Sequence, residues 1–261
     1  MCEQTGSGPE PVSLLQEFLM RCVGIALCLC GLLLGSPVHS AEPGKQQAES
    51  AEIKIQMHYL LHLPQSYGED KAKKWPVIVF LHGSGERGTD LNLVKVHGPP
   101  KLVAKDSDFP FIVVSPQCPA EQRWTPFVLS GMLDSVIAKY AVDQERIYLT
   151  GLSMGGFGTW DWAVAEPHRF AALVPICGGG DPRTATKIMH IPAWVFHGAK
   201  DTGVPLKGSQ DMVLALEKAG GKPKFTVYPE AGHDSWTETY NNPELYKWLL
   251  EQQRPAVESK K

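Results

Sequence analysis

Three side chains suited to acyl transfer each follow a separate apolar run of the sequence. Ser153 lies in a G-x-S-x-G pattern (151–155) between a strand-like run and a helical stretch, and Asp201 and His233 come just after two later runs. A serine hydroxyl attacks only when a base takes its proton, and that base needs an orienting acid. The order Ser, Asp, His predicts a triad at one sheet edge. Ser153 attacks a carbonyl carbon, His233 carries the proton and Asp201 holds the imidazole.

Other residues compete for the base and the acid. Histidine near a strand end is more often a structural hydrogen-bonding residue than a base. Asp181 follows the preceding strand and remains an alternative acid, and Asp234 adjoins His233 but is expected to point away from its ring. The histidines in such positions are His82, His97, His197 and His233.

A second glycine-rich turn follows the apolar run 76–80. It reads Leu-His-Gly-Ser-Gly at 81–85, and glycine lets the backbone approach a substrate closely. We expect the backbone N–H groups of Ser84 and Met154 to form an oxyanion hole. The alternative, a phosphate-binding turn, lacks the Walker lysine and opens no obvious long helix.

Several polar and aromatic residues come from loops at the same predicted edge. Trp124, Gln117 and Trp236 are candidate substrate contacts, and Glu86 is a further candidate for the rim. Packing of the two tryptophans in the core or at the rim is an equally valid interpretation.

The elements that position these residues alternate between strand and helix. A strand is expected at 53–59 with alternating apolar residues. Six all-apolar runs follow, as strands buried on both faces require; they lie at 76–81, 111–114, 147–149, 171–176, 193–196 and 225–228. Helices are predicted at 129–140, 154–165, 209–218 and after 242. The first follows the helical period, and the second is stopped by Pro167. The third is closed by Gly220-Gly221, and the last begins at Asn242-Pro243. This order predicts an α/β fold with a mostly parallel sheet covered on both faces.

The chain is predicted to divide into four segments, of which 52–252 is the catalytic domain. Residues 1–40 form a leader, 41–51 a polar, flexible tether and 253–261 a polar tail. Val23–Leu34 is an apolar run of 12 residues, preceded by a basic residue and followed by small ones, which indicates a secretory signal peptide. Translation is inferred to start at Met20, because the preceding residues are acidic. The predicted location is secreted or periplasmic, without stable membrane insertion after signal removal; an uncleaved anchor helix is the alternative.

Charge and cysteine placement exclude other classes of protein. With 25 Lys and Arg against 28 Asp and Glu, no basic surplus exists for nucleic acid. Four of the six cysteines precede residue 31, which is neither a disulfide framework nor a metal-binding spacing. Cys118 and Cys177 follow strands that two others separate in the expected order, so they lie roughly 14 Å apart. A disulfide between them is not expected.

Motifs along residues 55–250 resemble the secreted carboxylesterases of the α/β-hydrolase superfamily. This branch is also labelled "predicted peptidase" and is related to polyhydroxybutyrate-depolymerase-like and phospholipase/carboxylesterase groups. The motifs are LHGSGERGTDL (81–91), SPQCP (115–119) with Trp124, GLSMGGFGTW (151–160), FHGAKD (196–201) and GHDSWTETYNNPELYKWLL (232–250). The resemblance implies serine hydrolysis of carboxylic esters without metal or cofactor, with Ser153, Asp201 and His233 at the matching positions.

The sequence departs from the full fold in one respect. Only one strand fits before Pro76, where the fold has two, so we expect seven or eight strands.

The segment 178–191 has room for one short helix, which predicts an open site with no cap domain and favours soluble or polymer-borne esters.

The leading interpretation is a serine esterase acting through an acyl-enzyme on small-molecule or polysaccharide-borne esters. A serine peptidase of the same fold shares this chemistry, although no large gating domain fits in the chain. A non-catalytic binding protein on the same scaffold is the third possibility, and the intact set of Ser153, Asp201 and His233 argues against it.

Overall fold

One seven-stranded sheet forms the centre of the computed structural model, which describes residues 46, 52 and 54–254. The strands lie in the order β1-β3-β2-β4-β5-β6-β7. β1 is antiparallel to β3 and every other pair is parallel. The strands are β1 (Tyr59–His62), β2 (Trp75–Leu81), β3 (Ile112–Pro116), β4 (Val142–Leu152), β5 (Ala172–Ile176), β6 (Trp194–Gly198) and β7 (Lys224–Tyr228).

Strand β2 is apolar along its length because both faces of the sheet are covered there. All seven residues of β2 are buried, and successive side chains enter opposite layers. Val77 and Val79 pack in one cluster with Leu133 and Trp160, while Phe80 packs in the other with Trp248. The sheet therefore lies between two apolar layers, as its composition predicts.

Seven α-helices cover these layers within the described residues. Two begin with proline, which has no N–H to leave unpaired and is favoured at a helix start. In the last helix the Asn242 side chain also accepts a hydrogen bond from the N–H of Glu244 at 3.0 Å, as the cap signal predicts. The helices are α1 (Gly98–Val103), α2 (Pro126–Lys139), α3 (Met154–Ala165), α4 (Ala185–Ile188), α5 (Lys207–Lys218), α6 (Trp236–Asn241) and α7 (Pro243–Leu250).

The predicted α/β class, the mostly parallel sheet and six of the seven strand positions are confirmed. The first strand is displaced: β1 is Tyr59–His62, whereas residues 55–58 are not in a strand. Only residues 59–62 lie opposite residues 113–116 in the antiparallel register, and Ile55 is 54% exposed. The prediction of a strand at 53–59 was therefore wrong in its bounds, because alternation alone does not fix where a partner strand ends.

The segment between β5 and β6 is as short as predicted, with one 3-10 turn and the four-residue helix α4. Cys118 and Cys177 follow β3 and β5, which β2 and β4 separate, and both thiols are free and buried. The leader 1–40 and the residues 255–261 of the predicted tail lie outside the described residues, as does most of the tether 41–51. No helix among the described residues is long and apolar enough to cross a membrane.

Candidate active site

Ser153 occupies a strained turn between β4 and α3. Its φ of 51° and ψ of −116° lie in a region that few non-glycine residues adopt. The strain is held by the tight connection from the end of β4 into the first turn of α3. The turn places Ser153 at the N-terminal end of a twelve-residue helix, where the helix dipole favours negative charge.

The glycines flanking Ser153 are required by close backbone packing. A Cβ on Gly151 would lie 2.3 Å from the carbonyl oxygen of Gly155. A Cβ on Gly155 would lie 1.9 Å from the carbonyl oxygen of Leu81 at the end of β2. Only residues without a side chain fit at both positions, which accounts for the G-x-S-x-G spacing.

The three residues predicted to converge lie within hydrogen-bonding distance at the carboxyl edge of the sheet. Ser153 follows β4, Asp201 follows β6 and His233 follows β7. His233 Nε2 lies 2.9 Å from the Ser153 hydroxyl oxygen, and His233 Nδ1 lies 2.7 Å from Asp201 Oδ2. This is the connectivity of a nucleophile, a general base and an orienting acid.

The environment of Asp201 favours its ionised form. Burial of the carboxyl group opposes ionisation, but hydrogen bonds from His233 and from the N–H groups of Val204 and Gly203 outweigh it and lower the pKa of Asp201. Both N–H groups donate to Oδ1 at 2.8 Å. The carboxylate is thus held rigidly, with Oδ2 directed at the imidazole.

The alternative residues have other partners. Asp181 accepts hydrogen bonds from Arg183 at the start of a 3-10 turn, and Asp234 accepts them from Thr237. Trp236 donates to Nδ1 of His97 at 3.3 Å. None of these contacts involves the imidazole of His233, so the geometry favours Asp201 as its acid.

His82 holds the predicted oxyanion turn. Its Nδ1–H donates to the Gly83 carbonyl at 2.6 Å, and its Nε2 accepts the N–H of Cys118 at 3.0 Å. Burial lowers the pKa of His82 to about 4, so the ring is neutral, as this pair of bonds requires. A structural histidine at this position fits the general expectation for histidine at strand ends.

The turn carrying Ser84 lies directly against the nucleophile. A Cβ on Gly83 would lie 3.7 Å from Cβ of Ser153, and Met154 is the first residue of α3. Within residues 54–254, no hydrogen bond connects the N–H of Ser84 or of Met154 to a protein acceptor. Both donors are therefore available beside the serine, in agreement with an oxyanion hole formed by these two groups.

Trp236 is the one candidate substrate contact that lies against the triad. Its ring centroid is 5.3 Å from that of His233, with the rings perpendicular. The indole is partly exposed, and the bond from its Nε1–H to His97 fixes its orientation. It therefore forms one wall beside the imidazole.

The expectation that Trp124 and Gln117 contact substrate is not supported by their positions. Trp124 is 6% exposed, and its indole N–H donates to the His82 carbonyl at 3.1 Å. Gln117 is 4% exposed, and its amide donates to the carbonyls of Glu86 and Asp90 at 3.0 and 2.8 Å. Both side chains are buried because the loops around the oxyanion turn need internal hydrogen-bond partners.

Cys177 is the neighbour that sequence reasoning did not connect with the site. It follows β5 with a φ of +41°, and its sulfur lies within 4.8 Å of ligand atoms of Asp201 and His233. Its place after a strand of the same edge was the available signal. Burial raises the pKa of its thiol to about 12, and the other two groups bond each other, so this donor set does not suit a metal ion.

Comparison with known proteins agrees with this geometry. The model of the dienelactone hydrolase family matches residues 122–248, which include Ser153, Asp201 and His233. A solved structure described as a thermostable esterase superposes with a TM-score of 0.67 at 36% identity, covering 77% of this chain and 60% of that one. The chain has the α/β-hydrolase fold.

Two curated relatives are hydrolases by name. A putative carboxymethylenebutenolidase of Salmonella typhimurium is 32% identical over 100 residues, covering 35% of this α/β-hydrolase and 37% of the relative. A poly(3-hydroxyoctanoate) depolymerase of Pseudomonas fluorescens is 29% identical over 174 residues, covering 53% and 60%. This chain therefore spans little more than a third of the first relative's length. The superfamily resemblance is confirmed.

Proposed function

We propose that this chain is a serine hydrolase that cleaves carboxylic esters. The observation that carries the proposal is the hydrogen-bonded series from Ser153 through His233 to Asp201, beside two free backbone donors. Such a series activates a hydroxyl, and the donors stabilise the charge that develops on the carbonyl oxygen. The esterase and depolymerase names of its relatives support the same reaction class.

In the proposed reaction the Ser153 oxygen attacks the ester carbonyl carbon while its proton passes to Nε2 of His233. The N–H groups of Ser84 and Met154 hold the resulting oxyanion. The intermediate collapses, and the alcohol leaves with the proton from His233. Water then hydrolyses the acyl-enzyme by the same steps, and Asp201 stabilises the imidazolium each time.

The substrates that best fit are small or polymer-borne esters. The described part of the chain has only a short connection between β5 and β6, which suits an ester that approaches from open solvent. The depolymerase relative supports a polymeric ester. We further propose that the leader directs the enzyme to a secreted or periplasmic location, where such polymers would be met.

The test is labelling with a fluorophosphonate together with hydrolysis of p-nitrophenyl, feruloyl, acetyl-xylan and aminoacyl-amide substrates. Ser153→Ala is expected to abolish labelling and to lower turnover by about 10³-fold or more. Ser107→Ala is the matched control, because that hydroxyl bonds Gln65 in an exposed loop. Labelling without ester hydrolysis but with amide cleavage would favour the peptidase, and no labelling would favour a binding protein.

A further inference from the structure

The acid of the triad has a second imidazole beside it. Nε2 of His197 lies 3.2 Å from Asp201 Oδ2, the same oxygen that accepts the bond from His233 at 2.7 Å. The side chains of His197 and Asp201 are both fully buried. Because neither side chain is exposed to solvent, the second imidazole acts on the carboxylate more strongly than it would at the surface.

The hydrogen bonds of His197 determine which of its nitrogens carries the proton. Nε2 lies 3.0 Å from the Val204 carbonyl as well as near the carboxylate. Both neighbours only accept, so Nε2 must be protonated. Nδ1 lies 2.8 Å from the Ser209 hydroxyl, which also lies 3.2 Å from the Gly178 carbonyl and can donate to the ring.

We propose that His197 is a positioning residue that fixes Asp201 and limits how strongly its negative charge acts on His233. It does so through one N–H group that donates to the Val204 carbonyl at 3.0 Å while Nε2 lies 3.2 Å from Oδ2. Val204 in turn donates its own N–H to Oδ1 at 2.8 Å. The loop from Asp201 to Val204 is therefore tied to β6 at both ends. This inference rests on the proposed serine hydrolase chemistry.

The surroundings of His197 contain few other charges. The Ser209 hydroxyl of α5 is neutral, and the Cys177 thiol at the end of β5 stays protonated because burial raises its pKa to about 12. The charged side chains of α5 and α6 are partly or fully exposed. They include Lys207, which pairs with Asp211 on α5, and Glu238 on α6. The charge that His197 faces is thus the one on Asp201, with His233 beyond it.

This arrangement predicts the direction in which the pH profile of activity moves when His197 is replaced. The N–H dipole of His197, whose Nε2 lies 3.2 Å from the carboxylate, offsets part of its negative charge, and less of that charge remains to stabilise a protonated His233. Without the His197 donor, His233 holds its proton to higher pH. The free base is the active form, so the acid limb of the kcat/KM profile moves toward higher pH.

The experiment compares the full chain with His197→Leu, His197→Gln and Ser209→Ala. Leucine removes the donor, and we expect the acid limb to move up by about half a unit or more, with kcat lowered about tenfold and KM little changed. Glutamine keeps an N–H group near the Nε2 position, so the limb is expected to return toward its original pH. Ser209→Ala removes the partner of Nδ1 while the Val204 carbonyl keeps the proton on Nε2, so the limb is expected to move little.

Met212→Ala is the matched control, because Met212 is buried in α5 without a bond to the network. It is expected to lower thermal stability without moving the limb. If His197 had only a structural role, His197→Leu would likewise lower thermal stability without moving the acid limb. An acid limb that stays in place or moves to lower pH in His197→Leu therefore overturns the proposal. Titration of the His233 imidazole by ¹⁵N NMR in the same variants tests the proposal even if no ester is hydrolysed. This measurement therefore distinguishes failure of the His197 proposal from failure of the proposed function.

Discussion

Gly155→Ala is the substitution whose effect follows most directly from the coordinates. The added Cβ would lie 1.9 Å from the Leu81 carbonyl oxygen, 2.5 Å from its carbon and 2.8 Å from the His82 carbonyl oxygen. Side-chain Cβ atoms essentially never come within 3.0 Å of such atoms, so α3 and the end of β2 must separate by about 1.1 Å. The obstructing atoms are backbone, and no rotamer change relieves the contact.

This separation has a cost in stability and a cost in turnover. Overpacking of this kind costs about 3 kcal/mol, which corresponds to a Tm lower by about 6–12 °C for a domain of this size. β2 leads into the oxyanion turn and α3 begins beside Ser153, so the two donor groups move apart. A displacement near 1 Å lowers kcat by about 10²-fold.

Thermal unfolding and p-nitrophenyl ester hydrolysis measure both effects. Gly131→Ala is the control, because Gly131 lies in the exposed middle of α2 and its added Cβ meets no atom within 4 Å. That change is expected to raise stability by about 0.5–1 kcal/mol and to leave turnover unchanged. A Gly155→Ala protein with the parent Tm and kcat would refute the packing argument for the nucleophile turn.

Two further predictions concern buried titratable groups near the site. Burial lowers the pKa of His82 from 6.5 to about 4. Its contribution to stability is therefore full above pH 6.5 and lost as the pH falls toward 4, by about 3 kcal/mol. Urea unfolding across this range should show a shallower pH dependence in His82→Asn, and parallel curves would contradict the prediction. Burial also raises the pKa values of the Cys118 and Cys177 thiols. Mass-spectrometric mapping should find both unmodified by iodoacetamide in the native protein and modified in denaturant; native alkylation at Cys177 would count against its buried, protonated state.

Most of the fold and the convergence of Ser153, Asp201 and His233 could be predicted from the sequence because their signals are local and repeated. Strands buried on both faces appear as apolar runs, and each chemical residue lies just after such a run. The short helices α1 and α6 were not predicted, because six residues carry too little periodicity to be recognised. The bounds of β1 also failed, since they depend on where β3 ends and not on the alternation of residues 53–59.

The roles of Trp124 and Gln117 show why loop residues near a site are harder to assign. Both were placed correctly at the edge of the sheet, but sequence cannot tell whether a side chain points outward to substrate or inward to the loop. Four carbonyl and N–H groups of the oxyanion turn and its neighbours, buried or partly buried, need partners, and the side chains of His82, Trp124 and Gln117 supply them. An unpaired buried group costs about 1–3 kcal/mol, so satisfying this loop takes precedence over contact with a ligand.

The need of buried polar groups for hydrogen-bond partners also explains why Asp201 lies in a tight loop directly after β6. Asp201 receives two backbone N–H groups on one oxygen and faces two imidazole rings with the other. The two backbone donors are fixed by the loop that carries Asp201, so under the proposed reaction the carboxylate would need no reorganisation when His233 takes the serine proton. A surface aspartate with mobile water around it would lose much of that advantage to screening. The buried position of Asp201 thus costs desolvation but gives the base a fixed and correctly directed charge.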